Sequence, residues 1–383
     1  MRGHVRKRGN KWAFVVDVSN DEVDGARRQK WYSGYATKKE AEDALTDVLG
    51  KMQAGSYVEP ARQTVAEYLH EWLDAIGGTV RPGTLRSYRT NVEIHVITRM
   101  GGMPLAKVTP VRLNALYSEL LASGRHDGNG GLSTRTVRYT HTILHRAFRD
   151  AVRWGLLNRN PSDFADPPRH IKPEMRVWST DELRQFLAFV SDDELHALWV
   201  LLATSGMRRG EALGLRWQDL DLRKGRLSIR QSLSSGGGKL SFSPPKTAKS
   251  RRALSLDPAT VAVLRSHRAQ QGEEQLAAGV LGGATGLVFA RADGSPTRPD
   301  SVSRRFTQLS RNAGLPVIRV HDLRHTYATI ALSAGAHPKV VAERLGHSTI
   351  AITLDTYSHV LPSLEEETAN RLAQLILGPA AAG

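Results

Sequence analysis

Three capping boxes of the form Ser/Thr-x-x-Glu constrain the fold of this chain more than any other local feature. In such a box the hydroxyl of the first residue and the carboxylate of the fourth both accept from backbone N–H groups that a helix leaves unpaired at its start. The boxes predict helix starts at Thr37–Glu40, Thr64–Glu67 and Ser179–Glu182. Because the residue patterns around the boxes differ, we expect three domains, 1–59, 61–165 and 174–383.

The first domain is predicted to be a small three-stranded β-sheet with one helix. β-Branched and aromatic runs at Trp12–Val18 and Arg27–Tyr35, separated by Asp24-Gly25, are typical of short antiparallel strands. The capping box at Thr37 then begins a helix that is expected to run through Leu49. Basic residues stand beside aromatic residues in these strands, which favours a sheet laid against DNA, although a solvated sheet face would have a similar composition.

The second domain is predicted to be an all-α bundle. Helices are indicated after Thr64, at Thr84 to about Ile97, from Thr109-Pro110, and from Ser133 to about Trp154. The glycine-rich stretch Gly124–Gly131 is typical of a loop between two of them. Arginines recur through these helices, so the bundle as a whole is suited to grip duplex DNA by its phosphates, although a single arginine is more often solvated.

A proline-rich polar segment from Asn158 to Pro173 has the composition of an interdomain linker. The domain that follows is predicted to be mostly helical α/β with a small antiparallel sheet. Helices are indicated near 180–190, 193–205 and 258–271, and strands near 226–230 and 252–256. The expected fold class is therefore multidomain α+β.

The charge and composition of the chain narrow its partners. Lys plus Arg number 53 against 38 Asp plus Glu, and the net charge of +15 favours a polyanion such as nucleic acid without proving one. The absence of cysteine removes disulfides, thiolate metal sites and cysteine nucleophiles. The sequence also lacks a signal peptide and a run of roughly 18 apolar residues, so we expect a cytoplasmic protein with no membrane attachment.

Four segments of the third domain combine side chains that suit phosphate chemistry. In the first, Gly206 ends an apolar helix and places Arg208 at the start of the next, where a planar guanidinium can hold two phosphate oxygens. Glu211 lies three residues on and is expected to orient Arg208, although an ordinary surface ion pair has the same spacing. In the second, Lys246 lies in a turn after a flexible Ser234–Lys239 stretch, where it can donate a proton to a leaving oxygen.

The third segment places His321, Arg324 and His325 at i, i+3 and i+4 on one helix face. Histidines at this spacing can also chelate zinc, but the glutamate of an H-E-x-x-H motif is missing and an intervening arginine opposes a dication. Phosphate binding is therefore favoured over a metal. In the fourth segment a glycine-terminated helix presents His347, and Tyr357 follows ten residues later. A phenol has a pKa of about 10 and needs neighbouring cations to become a nucleophile.

These segments resemble, in order and spacing, the active site of the tyrosine recombinases, the phage-integrase family of site-specific DNA recombinases. The family signature Arg … Lys … His-x-x-Arg … His/Trp … Tyr is matched by Arg208, Lys246, His321, Arg324, His347 and Tyr357. Residues 61–165 look like the family's helical core-binding domain, and residues 1–59 look like its arm-type DNA-binding domain. The resemblance covers the whole chain, with no departure at a catalytic position.

The resemblance implies that Tyr357 attacks a DNA phosphodiester and forms a 3′-phosphotyrosyl intermediate with a free 5′-hydroxyl. Arg208, Arg324 and His347 would hold the non-bridging oxygens in place of metal ions, so neither a metal nor another cofactor is expected. The energy of the broken bond is stored in the intermediate, and a partner strand reseals it.

The remaining residues of the constellation receive roles from the same resemblance. His321 would accept or relay the tyrosine proton, and Lys246 would protonate the departing 5′ oxygen. His325 and Glu211 are interpreted as supporting residues.

The resemblance also implies partners. The family works as a homotetramer on double-stranded DNA attachment sites of core and arm type, and it allows for a host DNA-bending protein and a directionality factor. Beyond Tyr357, an amphipathic helix is predicted at Ser363–Leu377. It would dock either on a neighbouring protomer or on its own domain.

Other functions fit part of the pattern. A type IB topoisomerase-like nicking-closing enzyme uses similar catalytic residues but has no need for an arm-type domain. A DNA-binding regulator that has lost catalysis would not need the intact set, and a zinc hydrolase is remote. The expected function is therefore an integrase that inserts and excises a mobile element such as a phage or an integrative element.

Overall fold

The computed structural model describes most of the chain, in residues 3–20, 27–53, 63–171, 175–245, 251–279, 286–347, 349–357, 372–373 and 375–378. Two compact units divide it, Met1–Lys172 and Pro173–Gly383. The turn predicted to carry Lys246 and most of the helix predicted beyond Tyr357 lie outside the described residues. The division into three domains stays a prediction.

The N-terminal part of the first unit contains an antiparallel sheet and one helix. The sheet order is β1-β2-β3, and the elements are β1 (Gly3–Arg8), β2 (Lys11–Asn20), β3 (Arg27–Tyr35) and α1 (Lys38–Gln53). The capping box at Thr37 is present, because the Thr37 hydroxyl accepts from the Glu40 N–H at 3.2 Å and the Glu40 carboxylate accepts from the Thr37 N–H at 3.3 Å. The sheet buries Phe14 against α1, which continues four residues past the predicted Leu49.

The rest of the first unit is all-α, as predicted. Its helices are α2 (Val65–Ala75), α3 (Pro82–Asn91), α4 (Thr98–Met100), α5 (Pro110–Ser123) and α6 (Thr134–Arg153), with short 3₁₀ turns at Leu105–Lys107 and Pro161–Phe164. Thr64 forms the predicted capping box, and Thr109 and Ser133 cap α5 and α6. A π-helical segment, Val92–Ile97, separates α3 from α4, so the single helix predicted at 84–97 is not continuous in its hydrogen bonding.

The second unit combines helices with short strands. Its helices are α7 (Thr180–Phe189), α8 (His196–Ser205), α9 (Arg209–Leu213), α10 (Pro258–Ala277), α11 (Pro299–Asn312), α12 (Val320–Ser333), α13 (Pro338–Leu345) and α14 (Ile350–Tyr357), and a 3₁₀ turn lies at Trp217–Asp219. Its strands are β4 (Leu220–Asp221), β5 (Arg226–Ser228), β6 (Ser232–Gly236), β7 (Lys239–Ser243) and β8 (Ala253–Ser255). The antiparallel order β4-β5-β8 and the β6-β7 pair give the predicted small sheet within a mostly helical domain.

Aromatic side chains occupy the centre of the second unit. Trp178, Phe186, Trp199 and Phe306 are all buried, with neighbouring ring centroids 5.0 to 6.3 Å apart. The Ser179 capping box starts α7 beside this cluster. Among the described residues, no helix has the length and apolar character needed to cross a bilayer.

The stretch from Ser234 to Lys239, which the sequence predicts to be flexible, lies in two paired strands and the turn between them. Both ends belong to the β6–β7 hairpin, in which Ser234 pairs with Ser241. Glycine has low β-propensity and serine is frequent in turns, so the composition favours a loop. Tertiary contacts decide instead: Leu233 is buried in the core, and the Ser235 hydroxyl donates to the Asp300 carboxylate at 2.7 Å.

Candidate active site

The turn between α8 and α9 carries Arg208. Gly206 follows the last residue of α8 with a φ of 64°, a left-handed conformation that favours glycine. Arg208 then caps α9, and its backbone N–H and Nη1 donate to the two carboxylate oxygens of Glu211 at 3.0 and 2.7 Å. The contact that the sequence predicted between these two side chains is therefore present.

Arg324 lies on α12 and is only 2% exposed. Its Nη1 donates to the Gly206 carbonyl at 2.9 Å, and its Nη2 donates to the Leu345 carbonyl at 2.6 Å. These carbonyls stand at the carboxyl ends of α8 and α13, where a helix has no backbone donors of its own to satisfy them. Arg324 thus holds together the two segments that lead to Arg208 and His347.

His321 and His325 share one face of α12 with Arg324, as predicted. Their ring centroids are 5.2 Å apart and their planes are nearly perpendicular, at 89°. Within the described part of the chain, no group of three or more His, Asp or Glu side chains is placed to hold a metal ion.

His347 follows the glycine that ends α13. Gly346 has a φ of 67° and turns the chain, so that the next residue leaves the helix. The His347 Nδ1 hydrogen-bonds the hydroxyl of Thr353, which is fully buried on α14. This bond joins the turn to the helix that ends at Tyr357.

Partial desolvation and neighbouring positive charges lower the pKa of all three histidines. The pKa of His347 falls to about 4, because its ring is partly buried and the guanidinium groups of Arg324 and Arg208 are near. Burial, together with His321, lowers the pKa of His325 to about 4. Partial desolvation of His321, followed by the charges of Arg324 and Arg208, lowers its pKa as well, although the residue is exposed at the surface. At neutral pH these imidazoles are uncharged, and a neutral imidazole can both accept and donate a proton.

A second arginine, which the sequence did not single out, lies against Glu211. Arg252 Nη2 contacts the Glu211 carboxylate at 3.0 Å, and both side chains are buried, at 7% and 4% exposure. Burial alone would raise the pKa of Glu211, but Arg252 and then Arg208 outweigh it and lower that pKa. Nothing in the sequence distinguishes Arg252 from its exposed neighbour Arg251 except the alternation expected of a strand. Thr353 was missed for a similar reason, since a buried threonine has no sequence signature.

Two predicted site residues are not placed in this cluster. Lys246 lies outside the described residues. Tyr357 is the last residue of α14 and its backbone is helical, but its side chain lies outside the described part of the chain. The other predicted residues, on α9, on α12 and after α13, form one cluster of arginines, uncharged histidines and a buried carboxylate. Such a cluster is suited to bind and polarise a phosphodiester.

Three segments of the chain match known protein families. Residues 176–363 match the phage integrase family, residues 4–52 match an arm DNA-binding domain, and residues 64–121 match the N-terminal SAM-like domain of phage integrases. The protein is thus a DNA strand-transferring enzyme. The chain belongs to the phage integrase family of tyrosine recombinases, and it is of the arm-binding type.

Individual relatives are similar over most of the chain. A tyrosine recombinase XerC-like protein of Caldanaerobacter subterraneus subsp. tengcongensis is 27% identical, over 98% of this chain and 98% of that protein. The ICEBs1 integrase of Bacillus subtilis is 28% identical, over 68% of this chain and 71% of its own length. An integrase of Streptomyces ambofaciens is 27% identical, over 92% and 90% of the two chains.

Solved structures share the fold. The Tn1549 transposon integrase in complex with transposon right end DNA has a TM-score of 0.67 and 22% identity, and the match covers 81% of this chain and 100% of that one. A lambda integrase dimer bound to a COC′ core site has a TM-score of 0.58 and 16% identity, over 92% and 94% of the two chains. At these identities the likeness establishes the multidomain architecture.

Proposed function

We propose that this protein is a site-specific recombinase that integrates and excises a mobile element through a covalent 3′-phosphotyrosyl intermediate formed by Tyr357. The observation that carries the proposal is the convergence of Arg208, Arg324 and His347 at the ends of α8 and α13. The match to an arm DNA-binding domain favours an integrase over a nicking-closing enzyme. Because the substrate is the genome of the cell, the proposed location is the cytoplasm.

The cluster suits the charge that develops during strand cleavage. When a phenolate attacks a phosphodiester, negative charge accumulates on the non-bridging oxygens. In the proposed mechanism Arg208 and Arg324 meet that charge, and His347 assists as a hydrogen-bond donor. No metal ion is required for this role, because preorganised guanidinium groups supply the positive charge.

Proton transfer is assigned to two further residues. His321 lies beside Arg324 and is neutral at pH 7, so it can accept or relay the proton that Tyr357 loses. Lys246 protonates the departing 5′ oxygen in this proposal. Glu211 and His325 support the cluster, Glu211 by its bonds to Arg208 and His325 by its packing against His321.

We further propose that the enzyme recombines core-type attachment sites while its N-terminal sheet holds arm-type sites. The relatives named above are integrases and recombinases, and the integrases seen in solved structures are bound to DNA. Recombination joins two duplexes with two cleavages each, which calls for a homotetramer. A host DNA-bending protein and a directionality factor are proposed accessory partners.

Covalent trapping tests the proposal. A nicked duplex carrying the core site, identified from the DNA that flanks the gene, releases a short fragment after cleavage and traps the protein on DNA. We expect an adduct with the native chain and none with Tyr357→Phe, while that variant still binds the duplex. Tyr327→Phe removes a hydroxyl from a partly buried tyrosine of the same unit and should still form the adduct. An adduct that survives Tyr357→Phe would remove Tyr357 from its role.

A further inference from the structure

Arg252 connects two parts of the active-site cluster that lie far apart in the sequence. On one side its Nη2 and Nη1 donate to the Glu211 carboxylate at 3.0 and 3.4 Å. On the other side its Nε donates to the Arg344 carbonyl at 2.6 Å. The first contact is with α9, and the second is with the carboxyl end of α13.

The contact with Glu211 places Arg252 beside the ion pair that Arg208 forms with the same carboxylate. The Glu211 carboxylate is 4% exposed and receives two guanidinium groups, those of Arg208 and Arg252. Removing one partner of a buried ion pair leaves the charge of the other less compensated. Without Arg252, the Glu211 carboxylate would rely more on Arg208 for its balancing charge, which leaves less positive charge for a phosphate.

The contact with α13 lies next to the turn that leads to His347. Arg252 bonds the carbonyl of Arg344, and its guanidinium lies so close to Gly346 that a Cβ there would be 2.8 Å from Arg252 Nη1. Arg324 bonds the next carbonyl, that of Leu345. The two arginines thus hold consecutive carbonyls at the end of α13, directly before His347.

We infer that Arg252 is a positioning residue for strand cleavage, which sets the guanidinium of Arg208 and the imidazole of His347 against the same phosphate. This inference rests on the proposed function, because it assumes that Arg208 and His347 contact the scissile phosphate. Arginine is needed, since one side chain bonds a carboxylate with both Nη atoms and a carbonyl with Nε. A lysine has a single nitrogen and cannot bridge both partners in this way.

The test compares two substrates under single-turnover conditions with saturating protein. One is the nicked core-site duplex, and the other carries a methylphosphonate at the scissile position, in which a neutral methyl group replaces one charged oxygen. Arg252→Met should slow adduct formation on the phosphate substrate by about 10- to 100-fold. The methylphosphonate needs less positive charge, so on this substrate the rate of Arg252→Met should come within about threefold of the native rate. The Kd of Arg252→Met for DNA should change by no more than about threefold.

Two variants separate positioning from stability. Arg252→Lys keeps the charge next to Glu211 but loses the bridge, so its rate on the phosphate substrate should lie between those of the native chain and Arg252→Met. It serves in place of Arg252→Met if thermal unfolding shows that the methionine variant does not fold. Arg344→Met is the matched control, because this arginine stands at the same helix end and bonds the carbonyls of Thr204 and Ser255. It should affect both substrates equally.

The outcomes are distinct. The inference is overturned if Arg252→Met reacts with the phosphate substrate within about twofold of the native rate, or if it is slowed equally on both substrates. Arg208→Ala should itself recover on the methylphosphonate. If it does not, the proposed role of Arg208 fails and the inference about Arg252 fails with it. If Arg208→Ala recovers and the Arg252 variants do not, only the inference about Arg252 is wrong.

Discussion

The carboxylate of Glu211 is buried and forms ion pairs with two arginines, Arg208 and Arg252. Its side chain is 4% exposed and pairs with Arg252, which is 7% exposed. Glu211→Ala would leave that buried guanidinium without its carboxylate. We expect a loss of about 3–5 kcal/mol in the free energy of unfolding, measured from urea denaturation curves.

A matched surface pair provides the comparison for Glu211. Asp181 forms an ion pair with Arg184 at an i, i+3 spacing, as Glu211 does with Arg208. The Asp181 and Arg184 side chains, however, are 90% and 74% exposed. Asp181→Ala should cost no more than about 1 kcal/mol. If both variants lost the same free energy of unfolding, the burial of Glu211 would not contribute to stability.

The histidines give the site a predictable response to acid. His347 has a pKa of about 4 in the folded protein and an ordinary value of 6.5. The fold holds the neutral form, so the unfolded chain binds more protons between these values and stability falls as the pH drops from about 6.5 toward 4. His347→Gln should therefore reduce the drop in Tm between pH 7 and pH 5.

A second histidine controls for this acid response. His126 lies exposed in the loop between α5 and α6, and the Tm of His126→Gln at pH 7 and pH 5 controls for the removal of a histidine outside the cluster. Parallel Tm curves for the native chain and His347→Gln would mean that His347 is protonated as readily in the folded protein as in the unfolded one.

At the residue scale, the sequence predicts the place of a site residue when its spacing from neighbouring site residues fixes the direction of its side chain. His321, Arg324 and His325 could be assigned to one helix face because their spacing fixes their direction. Arg252 could not, because its partners lie 41 and 92 residues away and only the tertiary fold brings them together. The roles assigned to the site residues stay predictions, including those of Lys246 and Tyr357.

Among the elements, Gly206 is the point where α8 must end. A Cβ at this position would lie 2.6 Å from Tyr327 Cδ1 and 2.8 Å from Leu345 Cδ2, and the φ of 64° disfavours any L side chain. Gly206→Ala should therefore cost more than the roughly 1–2 kcal/mol of left-handed strain alone. It should also slow adduct formation, because the Gly206 carbonyl accepts from Arg324.

Gly314 is the control glycine for this element. It follows α11 with a φ of 70°, and no atom lies within 4 Å of where its Cβ would be. Gly314→Ala should show the backbone strain without the steric clash, and the rate of adduct formation should not change. If chemical denaturation gave the same loss in the free energy of unfolding for Gly206→Ala and Gly314→Ala, the close packing around Gly206 would not contribute to the cost.

Helix starts were the most predictable elements of the fold. All three capping boxes are present, because a box depends on residues that are adjacent in sequence. The π-helical segment Val92–Ile97 and the extent of the β6–β7 hairpin were not predicted. Boundaries also shifted by a few residues, as for α8, which begins at His196 instead of near 193.

For the whole molecule, the outer face of the N-terminal sheet carries the proposed contact with arm-type DNA. Phe14 pairs with Val5 and Tyr32 toward α1, so the alternate residues of the strands face away from it. On that face Trp31 is 42% exposed, and the guanidinium of Arg6 lies 5.4 Å from its ring centroid. An exposed aromatic ring flanked by arginines is suited to a DNA groove and backbone.

Substitution on this face should separate the two DNA-binding activities. Arg6→Ala and Trp31→Ala should weaken binding to an arm-type duplex, and for Arg6→Ala the slope of log Kd against log salt should fall by about one. Cleavage of the core-site duplex should be unchanged. Lys38→Ala, on the helix α1, is the control and should bind both duplexes like the native chain. A loss confined to core-site binding would argue against an arm-binding sheet.

The bonds of Arg324 have a practical consequence for trapping this enzyme on its target. Its guanidinium hydrogen-bonds the carboxyl ends of both α8 and α13. Arg324→Ala therefore removes these two hydrogen bonds as well as a positive charge. An inactive Arg324→Ala protein would have an altered active site, and its complex with DNA would differ from the complex of the native protein. A variant at Tyr357 leaves those bonds in place and is the better starting point for capturing an intact, uncleaved assembly.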